Sequence, residues 1–132
     1  DSAGGFAPIK DLFKTDVWKV SSWLNSRGND EVIPENSITK EPSAELRPDQ
    51  IDTDSLPDYE TLDQILALLI EQSATIEQVV ASGHPRQLAE KIESMVRASE
   101  WKRSQGAIGT KTTTIAFGSG RRVPITTRFT TL

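Results

Sequence analysis

The chain has 132 residues, of which 36% are hydrophobic and 26% charged, and its formal net charge is −4. This length suits one domain in which a compact helical part with a modest core is joined to polar, irregular segments. The absence of cysteine excludes disulfides and thiolate metal sites and fits a reducing compartment, and no apolar run approaches the roughly 20 residues that span a bilayer.

The first predicted helix covers residues 14–26. Before it, residues 1–10 contain two glycines and a proline, which predicts a turn that leads into a short extended piece. The helix is predicted because apolar residues recur at helical spacing and Gly28 helps to supply a stop. This apolar stripe consists of Phe13, Val17, Val20 and Leu24.

Three side chains of this helix are not explained by its apolar stripe. Trp18 and Trp23 lie off it, and we expect them to widen the buried face. Lys14 begins the helix, where a cation opposes the helix dipole and does not stabilise the helix. Lys14 is therefore either an exposed surface lysine or a residue kept for function.

An acidic loop dominates the middle of the chain. Residues 34–38 predict one short helical turn, after which the loop extends over about 38–57. Residues 30–63 carry eleven acids and two bases, and the loop also contains prolines that disfavour regular helix. Loops of this kind are either functional or disordered. The loop also contains three carboxylates that are either magnesium ligands or solvated charges. They are Glu45, Asp52 and Asp54.

Three further helices are predicted after the loop. Asp58 can cap the first, which should end near residues 71–73. Residues 75–78 have the form of a capping box and open a short helix that ends at Gly83. Residues 84–85 then start the last helix, with proline in its first turn. The predicted buried stripes are Leu62, Ile65, Leu66 and Leu69 in the first helix, and Leu88, Ile92, Met95 and Val96 in the last.

The end of the chain is basic. Residues 101–132 contain six bases and no acid, so this part could neutralise the acidic middle or face an anion. Lys102 lies in the last turn of the last helix, where a cation also complements the helix dipole. Residues 112–117 are the one candidate strand. A nucleic-acid groove is disfavoured, because the basic tail lacks interleaved aromatic residues.

Five stretches, taken in order, resemble the NAD synthetases, in particular the longer glutamine-using bacterial form. They are residues 11–15 (DLFKT), 40–46 (KEPSAEL), 52–59 (DTDSLPDY), 100–105 (EWKRSQ) and 116–125 (AFGSGRRVPI). The second resembles the mobile active-site loop of that family. The family's Ser-Gly-Gly-x-Asp-Ser pyrophosphate-binding loop is absent from this sequence. The resemblance therefore implies that residues 1–132 are the C-terminal part of the synthetase domain, with a mobile acidic loop at about 38–57 and a basic tail at 106–132.

The resemblance also implies a fold and a reaction. The chain would be mainly α and would complete a doubly wound α/β adenine-nucleotide-binding domain. The whole enzyme would adenylate deamido-NAD with ATP and magnesium, then amidate it with ammonia from glutamine to give NAD, AMP and pyrophosphate. It would be a cytoplasmic homo-oligomer with a glutaminase domain and no nucleic-acid or membrane partner. This chain alone should be inactive.

Individual residues take roles only through the resemblance. Lys14 and Ser43 match residues that contact ATP, and Asp1 and Lys102 match residues that bind deamido-NAD. Trp101 stands where relatives more often have tyrosine or histidine. No residue of the chain is expected to be catalytic or to bind metal. The alternative from another class is a helical interaction module with an acidic linker and a basic arm.

Overall fold

The computed structural model describes residues 4–28, 30–42, 52, 56–116 and 120–124. This part of the chain is mainly helical, with six α-helices and one isolated parallel β-bridge between Phe6 and Ile108. Two compact units are present: the loop-bearing unit, residues 13–63, and the helical unit, residues 1–12 and 64–132. None of the helices in the described ranges has the length and apolar character needed to cross a membrane.

The loop-bearing unit begins with α1, Lys14–Ser26, whose predicted bounds are confirmed. The short helical turn predicted near residues 34–38 is also found, as α2, Glu35–Thr39. Asn25 binds the segment between the two helices, because its side chain accepts from the backbone N–H groups of Val32 and Ile33 at 3.1 and 2.9 Å. The unit ends within α3, Tyr59–Leu66.

The outer face of α1 differs from the prediction. No residue of α1 is buried, and Val20 and Trp23 are 48% and 55% exposed. Within the part of the chain that the structure describes, the face that Trp23 was expected to widen is therefore not covered. Helical periodicity predicts which residues share an apolar face, but it does not predict which part of a protein packs against that face.

The helical unit has a small apolar core. A π-helical turn, Ala67–Glu71, continues α3 and ends the helical run where the sequence predicts. It is followed by α4, Ile76–Ala81, α5, Arg86–Ala98, and α6, Glu100–Gln105. The buried apolar residues of this unit are Ile65, Leu69, Ile70, Val79, Ala89, Ile92 and Ala116.

Several local predictions are confirmed by hydrogen bonds. Asp58 caps α3, since its carboxylate accepts from the backbone N–H of Thr61 at 2.9 Å. The capping box of α4 is formed: Thr75 Oγ1 accepts from the backbone N–H of Gln78, and the Gln78 side chain accepts from the backbone N–H of Thr75. Gly83 follows α4 with a φ of 99°, which favours glycine.

Three predictions about the last third of the chain are wrong. The last helix does not continue unbroken to residue 103, because it breaks at Ser99 between α5 and α6. Met95 was expected on the buried face but is 43% exposed. Residues 112–116 form no strand in the described part of the chain, and residue 117 lies outside it.

The residues of the predicted strand bind a carboxylate instead. Asp11 is 5% exposed, and its Oδ2 accepts from the backbone N–H groups of Thr112 and Thr113 at 2.6 and 2.8 Å. The same oxygen also accepts from the hydroxyls of both threonines. Because these donors point at one oxygen, they cannot form a strand ladder, and the segment turns around Asp11.

Candidate functional site

Lys102 and Trp101 form an exposed cation–aromatic surface on α6. Lys102 is exposed, Trp101 is 47% exposed, and Lys102 Nζ lies 5.6 Å from the centroid of a Trp101 ring. An ammonium beside an indole face is attracted weakly at an exposed position, by about 0.5–1 kcal/mol. The arrangement presents a positive charge next to a planar apolar surface, which suits a ligand that carries both anionic groups and flat rings.

A buried ion pair lies directly behind this surface. Arg103 is 9% exposed and Glu100 is 4% exposed, and Arg103 Nη2 donates to Glu100 Oε2 at 2.7 Å. Arg103 also donates from Nη1 to Ser99 Oγ at 2.8 Å and from Nη2 to the Val96 carbonyl at 2.7 Å. The break between α5 and α6 is therefore held by one guanidinium.

Other arginines of the helical unit also have local partners. Arg121 donates to the carbonyl of Leu69 at 2.7 Å, at the end of the π-helical turn. Burial and then the positive charges of Arg103 and Arg97 lower the pKa of Arg121. Arg121 and Arg97 help to line a cavity of about 950 Å³, together with acids that include Glu93. Both signs of charge therefore line this cavity.

Lys14 lies in the loop-bearing unit, at the first position of α1. Its Nζ is 5.6 Å from the centroid of a Trp18 ring. The backbone N–H of the next residue, Thr15, donates to Asp63 Oδ2 at 2.9 Å, and Asp63 is 8% exposed. The Asp63 carboxylate therefore complements the positive end of the α1 dipole, which Lys14 does not. It also occupies one of the backbone donors that the helix would otherwise offer to an anion.

Trp18 connects α1 to the base of the acidic loop. Its ring meets Tyr59 edge-on, with centroids 5.5 Å apart. Tyr59 donates its hydroxyl to Asp52 Oδ2 at 2.5 Å, and the backbone N–H of Asp52 donates to the Pro42 carbonyl at 3.0 Å. We call these contacts the loop clasp: Trp18, Tyr59, Asp52 and Pro42. A cavity of about 700 Å³ lies beside it, lined by Trp18, residues 38–42 and residues 58–60.

The clasp changes the acid–base properties of Tyr59. Burial, and then the hydrogen bond to Asp52 and the negative charges of Asp52 and Asp63, raise the pKa of Tyr59. The neutral phenol is therefore the form that this unit holds. The sequence suggests a magnesium ligand or a solvated charge at Asp52, but in the structure its carboxylate accepts from the Tyr59 hydroxyl.

The predicted site residues are not assembled in one place by the described structure. Lys14 belongs to the loop-bearing unit and Lys102 to the helical unit. Asp1 and Ser43 lie outside the described residues, as do most of the acidic loop and the last eight residues of the basic tail. The positions of Lys14 and Lys102 agree with the predicted helices, but their ligands stay predictions.

The sequence reasoning missed two features of these surfaces. The Arg103 network could have been suspected from a glutamate and an arginine three residues apart beside Ser99, at the point where the apolar stripe fades. The Tyr59 contact with Asp52 had no comparable signal, because the pairing spans an irregular segment with no period.

Comparison with known proteins gives consistent matches. The family model described as NAD synthase matches residues 1–106. Glutamine-dependent NAD(+) synthetases of Thermotoga maritima and Aquifex aeolicus are each 50% identical over 129 residues, which is 98% of this chain and 22% of each relative. The solved glutamine-dependent NAD+ synthetase from Acinetobacter baumannii, in complex with adenosine diphosphate, is 37% identical with a TM-score of 0.52. That match covers 88% of this chain and 19% of the other.

Proposed function

The chain belongs to the NAD synthase family, and we propose that it forms the C-terminal part of the synthetase domain of a glutamine-dependent NAD synthetase. The observation that carries this proposal is the similarity of 98% of the chain to synthetases that are 50% identical. The chain spans 22% of the length of those relatives, so the reaction belongs to a longer protein. The alternative of an independent helical interaction module has no comparable support.

In this proposal the complete enzyme is a C–N ligase. ATP activates the carboxylate of deamido-NAD, pyrophosphate leaves, and ammonia released from glutamine displaces AMP from the acyl-adenylate to give NAD. The physical requirements are neutralisation of phosphate charge and exclusion of water from the reactive adenylate. The cations and helix ends of this chain can serve the first requirement, and the acidic loop at 38–57 would serve the second.

Lys102 is assigned to deamido-NAD. Its exposed ammonium, beside the Trp101 ring, is matched to a dinucleotide that carries both phosphates and planar bases. Asp1 is assigned to the same substrate by resemblance alone. A lysine here acts as a mobile point charge, so it contributes binding without fixing a bidentate geometry.

Lys14 and Ser43 are assigned to ATP. The position of Lys14 at the first residue of α1 supports this assignment, because an anion would meet both the ammonium and the positive end of the helix dipole. The Asp63 carboxylate limits the second contribution, since it already accepts from the Thr15 backbone N–H. The ammonium of Lys14 would therefore supply most of the attraction.

The described residues do not account for the metal, the rest of the sheet or the further domains of the proposed enzyme. Among those residues, no group of three or more histidine, aspartate or glutamate side chains could hold a metal ion. By resemblance, the acids that bind the magnesium accompanying ATP are assigned to a part of the synthetase domain outside this sequence. Completion of a doubly wound α/β domain by this chain rests on the resemblance, and the described residues contribute one isolated parallel bridge, between Phe6 and Ile108. A glutaminase domain, a homo-oligomeric state and a cytoplasmic location complete the proposal.

The test is a product assay on the longer protein that contains this chain. With deamido-NAD, ATP, magnesium and glutamine we expect NAD, AMP and pyrophosphate in equal amounts. Free ammonia should replace glutamine. The 132-residue chain assayed alone is the control and should form no NAD, because the pyrophosphate-binding loop is absent from it. ATP hydrolysis by the longer protein without NAD formation would contradict the proposal.

A further inference from the structure

The break between α5 and α6 is built around one residue. Ser99 has φ −89° and ψ 4°, and α6 starts at the next residue, Glu100. Ser99 Oγ donates to the Val96 carbonyl at 2.9 Å, which satisfies an acceptor at the end of α5. The direction of α6 therefore depends on what holds the backbone on the two sides of Ser99.

Arg103 holds both sides. Its Nη1 donates to Ser99 Oγ at 2.8 Å, and its Nη2 donates back across the break to the Val96 carbonyl at 2.7 Å. On α6 itself, Nη2 and Nε donate to Glu100 Oε2 at 2.7 and 3.2 Å. All three guanidinium nitrogens are used, and the planar group joins the end of α5 to the first turn of α6.

This network is unusually well shielded for an ion pair on a short helix. The side chains of Arg103 and Glu100 are 8% and 5% exposed. Removal of one partner from a pair buried to this extent is strongly destabilising, because the other partner is left as a buried charge without compensation. A lysine at residue 103 would keep the charge, but it could not reproduce the fork of donors.

We propose that Arg103 is a positioning residue for deamido-NAD: it locks α6 at Ser99 so that Lys102 and Trp101 present one fixed surface to the substrate. Lys102 and Trp101 are the two residues before Arg103 and are both exposed, while Arg103 is buried. A rotation of α6 about Ser99 would move both exposed side chains together. The inference rests on the proposed function, since it takes deamido-NAD as the ligand of Lys102.

The test is Arg103→Lys in the full-length synthetase. A small misplacement of a binding group has large kinetic effects, so we expect the KM for deamido-NAD to rise by about tenfold or more, with the KM for ATP unchanged. The matched control is Arg97→Lys, because the ion pair that Arg97 forms with Glu93 at 2.8 Å lies within α5. The control should lower the melting temperature without a change in the KM for deamido-NAD.

A double variant separates positioning from other effects. If Arg103 acts through Lys102 and its neighbour Trp101, Arg103→Lys should raise the KM for deamido-NAD by a smaller factor in an enzyme that already carries Lys102→Ala than in the unmodified enzyme. If the folding of Arg103→Lys is impaired, Ser99→Ala removes one acceptor of the same network and should raise the KM for deamido-NAD in the same direction, by less. Steady-state kinetics and melting temperature are both measured on the same preparation of each variant.

The possible results are distinct. A lower melting temperature with an unchanged KM for deamido-NAD, in both Arg103→Lys and Ser99→Ala, would overturn the positioning role. A full effect of Arg103→Lys in the Lys102→Ala background would overturn it as well, because the action would not pass through Lys102. An unchanged KM in Lys102→Ala alone would refute the assignment of Lys102 under the proposed function, and the inference would fall with it.

Discussion

Replacement of Tyr59 by phenylalanine removes the central contact of the loop clasp. The lost hydroxyl donates to Asp52 Oδ2 at 2.5 Å, whereas the ring that meets Trp18 edge-on stays in place. A hydrogen bond to a charged group contributes about 1.5–3 kcal/mol, and partial exposure of Tyr59 puts the expected loss at the lower end. We expect Tyr59→Phe to lower the free energy of unfolding by about 1.5 kcal/mol at neutral pH.

The same contact predicts a pH dependence. The pKa of Tyr59 is raised by burial and by Asp52, so the stability it contributes is complete below the ordinary tyrosine pKa of about 10 and is lost as the pH rises through the folded-state pKa. Tyr59 is the single tyrosine of the chain, so tyrosinate absorbance reports it alone.

Two measurements check the clasp. Urea unfolding at neutral pH gives the free energy of unfolding of the unmodified chain and of Tyr59→Phe. An alkaline titration followed by tyrosinate absorbance gives the midpoint for the folded chain, for the chain in denaturant and for folded Asp52→Asn. The midpoint should be highest in the folded chain and should fall in Asp52→Asn, which keeps an acceptor but loses the charge. An ordinary tyrosine midpoint in the folded chain, with equal stability of Tyr59→Phe, would refute the reasoning.

Two further predictions concern the carboxylates that organise loops. Asp11→Ala should cost about 3 kcal/mol in urea unfolding, because two backbone N–H groups and two hydroxyls in a part-buried site lose their shared acceptor. Asp16→Ala, at a surface ion pair, should cost under about 1 kcal/mol, and equal costs would contradict this. Hydrogen bonds from Thr61 lower the pKa of Asp58, so its contribution to stability is present above the unfolded-state pKa and lost as the pH falls through the folded-state pKa. Asp58→Ala should therefore remove part of the acid dependence of the melting temperature, and an identical pH profile would count against the cap.

The helices were predictable where the signal is local. The apolar spacing of α1 and the capping box at Thr75 both act within one or two turns, and both predictions are confirmed. The prediction of a strand at residues 112–117 was wrong because threonine-rich sequence favours strands only when a partner strand is present. In the structure, the buried carboxylate of Asp11, about a hundred residues away, takes those donors.

The candidate site was predictable only in part. The resemblance points to Lys14, which lies on the predicted α1, and to Lys102, which lies on α6, where the pattern predicted only the end of one unbroken last helix. The residues that hold those helices were predictable only in part. The Arg103 pair with Glu100 has a local signal in its spacing of three residues, whereas the Arg103 bond across the helix break and the Asp63 bond to a backbone donor 48 residues away have none. Side-chain networks of this kind have no period in the sequence.

The most direct test of the account is the dependence of the full-length enzyme on deamido-NAD after Lys102→Ala. A charge-assisted hydrogen bond to the substrate contributes about 1.5–3 kcal/mol, so kcat/KM for deamido-NAD should fall about ten- to hundredfold with little change in the KM for ATP or in melting temperature. A lysine that only complements the α6 dipole would instead change stability by about 0.3–1 kcal/mol and leave the kinetics unaltered. A stably folded Lys102→Ala enzyme with an unchanged dependence on deamido-NAD would contradict the account.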